Sequence, residues 1–414
     1  MEKARKKIVI LGAGFGGLYA LKSVYKYVRN WRDFDILIID KNNYFVFTPL
    51  LHEVATGGID PADVAFPIRD WAEGSTEHLE AEVQSVDLAR KSVITSKGEV
   101  SYDYLVSALG AGTNFFGVEG ADTHSFTLKD IKDAIRLKNH LIHIFDEATE
   151  EKDPIKQKDM LRIVVIGGGA TGVELACEIH EFLKEVNKEY PHIPDDAVEY
   201  YLVEAGDRLL SVFHPSFSKK ALKILVKKGF KVIFKDPCAK VGAEDITCVS
   251  TNLIKSRTVI WAPGVTPSPM PMAPEMEKQK GRVVVEPPLN LKNFPEVFVL
   301  GDQAACADKR FGILLMLAQV AAEQGKFVGK NIAGLIAGKP LQAFNYRHKG
   351  NLISFGKWKA RAHIGNTFIR FGGPAAWLAW RFNYLTKMPG TAKKFRLFFD
   401  WLLYLASKRD ISEI

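Results

Sequence analysis

The first forty residues alternate between mainly apolar runs and a helical pattern. Residues 7–11 and 35–39 are mainly apolar runs of strand length, and the apolar positions over 18–28 follow the period of a helix. Short apolar runs of this kind are typical of strands that are buried on both faces of a parallel sheet. The pattern therefore predicts a strand, a helix and a second parallel strand, which is the repeating unit of α/β proteins.

A glycine-rich turn joins the first predicted strand to the helix. Gly12, Gly14 and Gly17 occupy the positions of a dinucleotide-binding fingerprint. There they allow a tight turn, a close approach of backbone to a pyrophosphate, and close packing of helix on strand. Asp40 lies 23 residues after Gly17, at the end of the second strand. Because a carboxylate at that place accepts hydrogen bonds from ribose hydroxyls, the segment predicts a dinucleotide site.

The same pattern recurs later in the chain. Apolar runs at 161–166 and 199–203 flank the glycine-rich turn 167–172 and a helical pattern, and the second run ends at Glu204. An acidic residue there favours NAD(H), because it repels the 2′-phosphate of NADPH, although the nearby Arg208 leaves NADPH open. Two such turns predict two nucleotides, one a tightly held flavin and the other an exchanging nicotinamide. The alternative is a duplicated fold with one inactive site.

With both turns present, the chain resembles the two-dinucleotide-binding flavoproteins over residues 1–335. Within that group it most resembles the type II NADH dehydrogenases, which are single-subunit NADH:quinone oxidoreductases. In such proteins one strand returns the chain from the FAD domain to the NAD domain and another closes the NAD domain. A Gly-Asp signature contacts the ribityl chain of FAD, and one segment lies beside the isoalloxazine ring. The matching motifs here are Tyr104-Leu-Val-Ser-Ala-Leu-Gly110, Thr258-Val-Ile-Trp-Ala-Pro-Gly264-Val, Phe298-Val-Leu-Gly301-Asp302 and Thr48-Pro49-Leu-Leu-His-Glu-Val-Ala-Thr56-Gly57.

The resemblance implies an α/β fold with two Rossmann-like dinucleotide-binding domains and a C-terminal membrane-anchoring region. The implied FAD domain covers 1–112 and 282–335, the inserted NADH-binding domain covers 113–281, and the C-terminal domain covers 336–414. The residues implied to bind FAD are Gly12, Gly14, Phe15, Gly16, Gly17, Asp40, Lys41, Thr48, Pro49, Ala108, Gly110, Gly301, Asp302, Ala318 and Gln319. Those implied to bind NADH are Gly167, Gly169, Ala170, Thr171, Gly172, Glu174, Glu204, Ala262 and Gly264.

Two residues are candidates for a catalytic role. Ala318 and Gln319 match the quinone-site dipeptide of the family, and Gln319 can donate to a quinone carbonyl; otherwise it is a packing or solvent-facing residue of an ordinary helix. The resemblance places Glu174 toward the flavin and quinone region as a proton relay; the alternative is an acid that interacts with the helix dipole. A carboxylate desolvated near a flavin would favour its neutral form, which suits proton transfer at neutral pH.

The activity that the resemblance implies is an FAD-dependent transfer of hydride from NADH to flavin and of two electrons on to a membrane quinone, without proton pumping. Two alternatives are a sulfide:quinone oxidoreductase and an NADH-sensing flavoprotein with little turnover. Sulfide chemistry needs paired reactive cysteines near the flavin. The four cysteines, Cys177, Cys238, Cys248 and Cys306, form no close pair in the sequence, and no metal-ligand motif is present. The spacing predicts reduced, partly buried thiols and no dithiol centre, zinc knuckle or other metal site.

Charge is unevenly spread along the chain. The formal net charge is +8, yet residues 336–414 carry 14 Lys and Arg against 3 Asp and Glu, which gives +11 there and −3 elsewhere. The basic region predicts an anionic partner. No nucleic-acid partner is expected, and a homodimer is left open.

Two aromatic segments in this region predict amphipathic helices. In 375–388 the apolar face contains Trp377, Trp380, Tyr384 and Met388, extended by Leu378, Phe382 and Leu385, with Arg381 intruding. In 393–405 a broad apolar face contains Leu397, Phe398, Trp401, Leu402, Tyr404 and Leu405, opposite a stripe of Lys393, Arg396 and Asp400.

No run of 18 apolar residues occurs, so these segments predict a peripheral anchor in an anionic bilayer. Packing on the protein's own core or a dimer interface is the alternative. The predicted location is the cytoplasmic or matrix-like face of the inner or plasma membrane. Arg370 precedes the first segment and lines the quinone entrance or faces a phosphate.

Overall fold

The computed structural model describes residues 5–28, 30–74, 76–251, 253–365, 369–406 and 408–413. Its backbone divides into two compact units. The first contains Met1–Val46, Phe66–Gly112 and Val265–Arg347, and the second contains Phe47–Ala65, Thr113–Gly264 and His348–Ile414. This division rests on spatial proximity, and the domain limits given above stay a prediction.

The helices in chain order are α1 (Phe15–Tyr27), α2 (Leu51–Val54), α3 (Ala121–His124), α4 (Ile131–Glu150), α5 (Pro154–Met160), α6 (Ala170–Val186), α7 (Pro215–Lys227), α8 (Ala318–Ile336), α9 (Pro374–Lys387) and α10 (Thr391–Ala406). Helices α1 and α8 belong to the first unit and the other eight to the second. The predicted helices after both glycine turns are α1 and α6, and the two predicted tail helices are α9 and α10.

A six-stranded sheet organises the first unit. Its strands in spatial order are Asn290–Leu291, Phe294–Val299, Tyr104–Ser107, Lys7–Leu11, Asp35–Asp40 and Thr76–Glu80. All neighbours run parallel except the first pair. The central strand is fully buried over residues 8–11, as its apolar run predicts for a strand covered on both faces.

Helix α1 packs closely on helix α8 in this unit. A Cβ atom on Gly325 would come within 2.4 Å of the Gly16 carbonyl oxygen, and one on Gly329 within 2.2 Å of the Ser23 hydroxyl. The Gly329 amide donates to that hydroxyl over 2.6 Å. Two helical glycines therefore allow contact between the helix backbones, and this contact holds α8 against the helix that follows the first glycine turn.

Further sheets complete the first unit. They are a four-stranded sheet (Met272–Ala273, Val83–Asp87, Ser92–Thr95, Gly98–Ser101), a three-stranded sheet (Lys278–Gln279, Arg282–Val284, Ala304–Ala305) and a hairpin (Ala307–Asp308, Gly312–Ile313). Short strands also occur at Tyr44–Val46, Ala65–Pro67, Ala111–Thr113 and Val265–Pro267.

The second unit is built on a four-stranded parallel sheet. Its spatial order is Phe230–Phe234, Glu199–Glu204, Arg162–Ile166 and Thr258–Trp261. A small antiparallel sheet (Cys238–Val241, Asp245–Cys248, Leu253–Lys255) packs on the apolar cluster that contains Ile166 and Trp261. Both units thus carry a parallel sheet with a glycine turn after a central strand, and the predicted α/β class with two Rossmann-like folds is confirmed.

The C-terminal part of the second unit combines a sheet with two helices. The antiparallel strands Gly350–Ser354, Ala360–Ile364 and Arg370–Gly372 pack against α9, with Ala362 and Trp377 buried in the shared core. Helix α10 follows after a short turn. None of the helices in the described ranges is long and apolar enough to cross a membrane.

Candidate active site

The first glycine turn has the geometry of a phosphate cradle. Gly12 has φ +89°, donates to the Ile39 carbonyl over 2.7 Å, and would place a Cβ atom 2.4 Å from the Ala108 oxygen. A Cβ atom on Gly17 would lie 1.8 Å from the Gly12 oxygen, whereas one on Gly14 would meet no atom within 4 Å. The first and last glycines are therefore needed by the fold, while the middle one faces open space that a ligand can fill.

A carboxylate braces this turn from the next strand. Asp40 accepts a hydrogen bond from the Ala13 amide over 2.7 Å on one oxygen, and from the Asn42 amide over 2.8 Å on the other. Each oxygen of an ionised carboxylate accepts two hydrogen bonds, so capacity remains for ribose hydroxyls. Lys41, which directly follows, is exposed, and Phe15 packs edge-on against Phe45 at 5.0 Å.

The second glycine turn repeats these contacts. Gly167 has φ +104° and donates to the Val203 carbonyl over 2.8 Å. A Cβ atom on Gly172 would lie 2.0 Å from the Gly167 oxygen, and one on Gly169 would again meet no atom within 4 Å. Ala262, at the end of the neighbouring strand, lies against Gly167. The two predicted sites are therefore built alike, one in each unit.

Glu204 plays the part of Asp40 in the second unit. Its two oxygens accept from the Gly168 and Gly206 amides, both over 2.6 Å. Arg208 is engaged elsewhere, since its guanidinium donates to the carbonyls of Ser211 and Phe213 and to the Ser218 hydroxyl. The carboxylate is therefore placed to bind a ribose. Arg208, the residue that could favour the 2′-phosphate of NADPH, is instead hydrogen-bonded within its own loop.

Both turns lead into helix N-termini that carry no acidic residue in the first turn and no side-chain cap. Ala170 and Thr171 open α6, and Thr171 is exposed. Free N–H groups and the positive end of the helix dipole therefore remain available to an anion. Together with the open space at the middle glycines, this fits the pyrophosphate of a dinucleotide at each turn. Gly264 lies at the end of the segment that follows Thr258–Trp261, in contact with Phe116.

The Gly301-Asp302 signature begins a short 3₁₀ turn after the strand Phe294–Val299. Its neighbour Gln303, which the sequence did not suggest, accepts hydrogen bonds from the Ser107 hydroxyl (2.8 Å) and the Leu109 amide (2.9 Å). Gln303 thereby fixes the turn from Ala108 to Gly110, whose last residue is open to solvent on its Cβ side.

The N-terminus of α8 is chemically unsatisfied. Ala318 and Gln319 open the helix, its first turn contains no acid, and Leu317 supplies no side-chain cap. Within the described ranges, the Gln319 amide nitrogen is buried and has no hydrogen-bond partner. A buried donor without an acceptor is costly, so this position fits a carbonyl group from a ligand.

The segment with Thr48 and Pro49 lies in the second unit. Thr48–Leu50 is a 3₁₀ turn that continues into α2, and it places His52 and Glu53 in the interior. The His52 Nε2 atom is buried and lacks a hydrogen-bond partner among the described residues. The ring packs edge-on against Trp380 at 5.7 Å.

Glu174 belongs to the same polar cluster. It is 7% exposed, and its Oε1 accepts from the Ser354 amide (2.9 Å) and the Trp380 indole (3.3 Å). Burial raises the pKa of this carboxyl, while His52 and the two hydrogen bonds oppose the rise. Tyr384 is half-buried and packs edge-on against Trp380 at 4.6 Å, and desolvation holds the pKa of its hydroxyl well above 10. The cluster thus contains a carboxyl group that is biased toward its neutral form, as a proton carrier requires.

The comparisons with known proteins agree with these two nucleotide sites. A family model described as pyridine nucleotide-disulphide oxidoreductase matches residues 6–325, and one described as NDH2 C-terminal domain matches residues 348–410. The first match covers well over half of the chain. The chain belongs to the pyridine nucleotide-disulphide oxidoreductase family. The predicted resemblance to two-dinucleotide-binding flavoproteins is confirmed.

Individual relatives extend this result. A probable NADH dehydrogenase of Dictyostelium discoideum is 28% identical over 98% of this chain and 91% of its own length. The type II NADH:quinone oxidoreductase Ndh of Mycobacterium tuberculosis is 29% identical over 98% of this chain and 89% of its own. The structure of NDH2 from Plasmodium falciparum in complex with NADH superposes with TM-score 0.88 at 20% identity, covering 99% of this chain and 100% of that one.

The part of this oxidoreductase that matches the NDH2 C-terminal domain buries the aromatic face predicted for α9. Trp377, Trp380 and Met388 are at most 2% exposed, whereas Leu378 is 55% and Phe382 69% exposed. The expectation that the tryptophans face lipid is therefore wrong for α9, because they pack on the protein's own core. Arg381, which intruded on the predicted face, is buried with them.

Arg381 is buried together with an acidic partner, Glu53. Its guanidinium lies 3.1 Å from a Glu53 oxygen, and the other Glu53 oxygen accepts from the Trp401 indole over 2.8 Å. Trp377 and Trp401 stack on the guanidinium at 4.2 and 4.5 Å. This buried ion pair joins α2 to α9 and α10, and it fixes the helix that carries His52.

Helix α10 exposes part of the predicted apolar face, but its cations contact the protein and not lipid phosphates, which differs from the sequence expectation. Its polar stripe faces the protein: Lys393 donates to the carbonyls of Ala62 and Ala65, and Arg396 lies 2.9 Å from both Asp60 and Asp63. The inward side also contains Leu397 and Trp401, while the outward side is apolar, with Phe395, Phe398, Phe399, Leu402 and Leu403 all at least 44% exposed. The Tyr404 side chain lies outside the described residues.

The last residues return to the interior of the second unit. Arg409 is buried, with its guanidinium 2.7 Å from Glu178 and 3.2 Å from the Thr56 carbonyl. The Asp410 amide donates to the Gly57 carbonyl over 3.2 Å. The C-terminal residues thereby hold the end of the 48–57 motif, a connection that no local pattern in the sequence indicates.

Proposed function

We infer that the chain is an NADH:quinone oxidoreductase that uses FAD, transfers hydride from NADH to the flavin and passes two electrons on to a quinone. The observation that carries this function is the pair of matched glycine turns, each braced by a carboxylate that still has capacity for a ribose. Two relatives that match nearly the whole chain support it: one is named a type II NADH:quinone oxidoreductase and the other a probable NADH dehydrogenase.

FAD fits the first unit and NADH the second. In the first unit, Gly14 leaves space for the pyrophosphate of FAD and Asp40 can bind its ribose, while Gly301 and Asp302 form the second FAD signature after a strand of the same sheet. In the second unit, Gly169 leaves space for the pyrophosphate of NADH, and the Glu204 carboxylate can bind its ribose and disfavours a 2′-phosphate. FAD, when bound, supplies the group that accepts a hydride and returns electrons, while the protein supplies binding, orientation and charge.

A role in quinone reduction is proposed for Gln319 in the first unit and, separately, for Glu174 in the second. Support for Gln319 is its buried amide nitrogen, which lacks an acceptor in the described part of the chain. Support for Glu174 is its burial and the raised pKa of its carboxyl, which keeps a proton available for a two-proton reduction. His52 and Tyr384 surround the same carboxyl and are candidates for carrying that proton onward.

The protein is proposed to lie on the membrane surface. In helix α10, Lys393 donates to backbone carbonyls and Arg396 pairs with acidic residues of the same unit, while Phe395, Phe399 and Leu403 are exposed. A continuous exposed apolar face of this kind marks a binding surface, and in-plane insertion into a bilayer fits its helical form. The cytoplasmic or matrix-like face is part of the proposal, and a homodimer through the same surface is its competitor.

Sulfide:quinone chemistry is disfavoured by the thiols. Cys177 and Cys306 are buried, and burial raises the pKa of both, to about 11 for Cys306. Neither is a thiolate at neutral pH, although the thiolate is the nucleophile such chemistry needs.

The test is to purify the full chain in detergent, record its visible spectrum, and follow NADH consumption by its near-ultraviolet absorbance with and without a short-chain quinone. We expect a flavin spectrum, quinone-dependent oxidation of NADH and much weaker oxidation of NADPH. A colourless protein that fails to rebind FAD refutes the proposal. Sulfide-dependent quinone reduction without NADH oxidation would favour the alternative enzyme.

A further inference from the structure

A small hairpin in the second unit brings two cysteines together. In the antiparallel pair Cys238–Val241 with Asp245–Cys248, Cys238 lies directly opposite Cys248. These cysteines are ten residues apart and form no close pair in the sequence, so the spacing alone does not indicate their cross-strand contact. All four cysteines are free and buried.

The hydrogen bonds of the ladder identify the kind of cross-strand position. The Val249 amide donates to the Pro237 carbonyl over 3.1 Å, and the Cys248 amide donates to Thr251 rather than to the opposite cysteine. The two cysteines therefore form a non-hydrogen-bonded pair, the position where opposite side chains approach most closely, with Cα atoms about 4.5 Å apart. That separation falls within the range of about 4.4–6.8 Å that disulfides span.

The side chains are confined next to each other. Both thiols belong to the apolar cluster of this sheet, with Cys238 9% and Cys248 3% exposed. The Cys238 sulfur also lies 3.5 Å from the Lys240 carbonyl and 3.8 Å from the Thr247 carbonyl. Little rearrangement is needed for the two sulfur atoms to bond, and the slight exposure of Cys238 gives a small oxidant a point of attack.

We propose that Cys238 and Cys248 are an oxidation-sensitive dithiol that closes to a cross-strand disulfide on reaction with a low-molecular-weight disulfide. The Cys238 thiolate attacks one sulfur of the reagent and releases one thiol. The Cys248 thiol then displaces the second, so the protein loses two electrons and two protons, and the reagent is reduced to two thiols.

The pKa values of the two thiols shift in opposite directions, as an attacking and a resolving thiol require. The hydrogen bond from Cys248 lowers the pKa of Cys238, and the same interaction, with burial, raises the pKa of Cys248. Cys238 is therefore the attacking thiol and Cys248 the resolving one. Cys177 and Cys306 serve as internal controls, since each is buried away from another cysteine among the described residues.

The hairpin is joined to the second glycine turn by packing. The Val241 amide donates to Glu119 over 2.9 Å, and the cluster around the thiols includes Ile166 and Trp261, the residues that precede Gly167 and Ala262. A disulfide closes the hairpin loop, so we expect the oxidised protein to unfold at a higher temperature than the reduced one.

The experiment is to incubate the full-length protein with oxidised glutathione and to count free thiols after denaturation and alkylation. We expect the count to fall from four to two, with non-reducing peptide mapping that links Cys238 to Cys248. The C177A variant should still lose two thiols, whereas C238A and C248A should keep all three of theirs in the absence of glutathione adducts. This readout does not depend on the proposed oxidoreductase activity.

Four results would overturn the proposal. They are retention of all four thiols in excess reagent, a stable glutathione adduct on Cys238 without closure, a linkage that involves Cys177 or Cys306, and a linkage only between two chains on a non-reducing gel. A reduced and an oxidised sample with the same unfolding temperature would remove the stabilising consequence.

Discussion

Replacing Arg409 with Met should release the C-terminal residues from the 48–57 motif. The side chain is 1% exposed, and Glu178, its closest acidic partner at 2.7 Å, is 3% exposed. Met retains the apolar stem but leaves the Glu178 carboxylate buried and unpaired. Breaking a buried ion pair from one side costs ~3–5 kcal/mol, because the remaining charge is not compensated.

This free-energy cost should increase the fraction of molecules in which the C-terminal residues are detached. At ~1.4 kcal/mol per factor of ten, the population in which residues 408–413 are detached should rise by about a hundredfold or more. Hydrogen–deuterium exchange measures this directly, since the Asp410 amide donates to the Gly57 carbonyl and is protected only while the tail is docked. Faster exchange should extend to residues 54–58, because Arg409 also donates to the Thr56 carbonyl.

Two variants make the test specific. K408M removes the same charge one residue earlier, where Lys408 is 77% exposed and pairs with the surface residue Glu189, so exchange should be unchanged. In the double variant R409M/E178M no buried charge is left unpaired, so exchange should be slower than in R409M alone. The reasoning fails if R409M exchanges within threefold of wild type, or if the double variant is looser than the single one.

Three further predictions concern other parts of the molecule. G169A should fold normally, because a Cβ atom there meets no protein atom within 4 Å, but it should raise the KM for NADH by about tenfold or more (~1.4 kcal/mol) by occupying the space proposed for the ligand. G172A should instead unfold at a lower temperature, because its Cβ atom would lie 2.0 Å from the Gly167 oxygen. A KM for NADH in G169A equal to that of wild type would contradict the prediction. The double variant F399S/L403S should lose sedimentation with anionic vesicles while keeping its unfolding temperature and its turnover with a short-chain quinone, and V249S, at an equally exposed valine, is the matched control. Burial and the facing Asp400 raise the pKa of Asp63 from 3.8 to about 8, against the opposing Arg396. The contribution of Asp63 to the docking of α10 is therefore greatest below about pH 4 and is lost as pH rises through about 8. The protease sensitivity of α10 in wild type minus that in D63N should rise over this range, and an unchanged difference would contradict the prediction.

The nucleotide turns could be predicted from the sequence because their chemistry is local. A tight turn, a backbone approach and a close packing contact each select glycine at a fixed position, and the next strand must end in a carboxylate to brace the turn. The structure shows these requirements twice, in the φ angles of Gly12 and Gly167 and in the hydrogen bonds to Asp40 and Glu204. Gln303 was missed since its partners, Ser107 and Leu109, are nearly two hundred residues earlier.

The dithiol and the tail were missed for the same reason. Cys238 and Cys248 meet only because a hairpin places them in register, and a spacing of ten residues has no meaning without that turn. Arg409 meets Glu178 through the fold of the whole second unit. Long-range contacts of this kind depend on tertiary packing, which periodicity along the chain does not report.

The faces of α9 and α10 mark the limit of helical periodicity as a guide to function. Periodicity correctly groups Trp377 with Trp380, but it is silent on whether that group meets lipid or protein. An amphipathic helix usually turns its apolar face toward the protein and its charges toward water. In α10 the charged side faces the protein instead, because Asp60 and Asp63 provide ion-pair partners for Arg396. With Lys393 and Arg396 directed toward the protein, the opposite, apolar side is exposed. The proposed insertion of that side into a bilayer would remove it from water, which is the physical reason to test it.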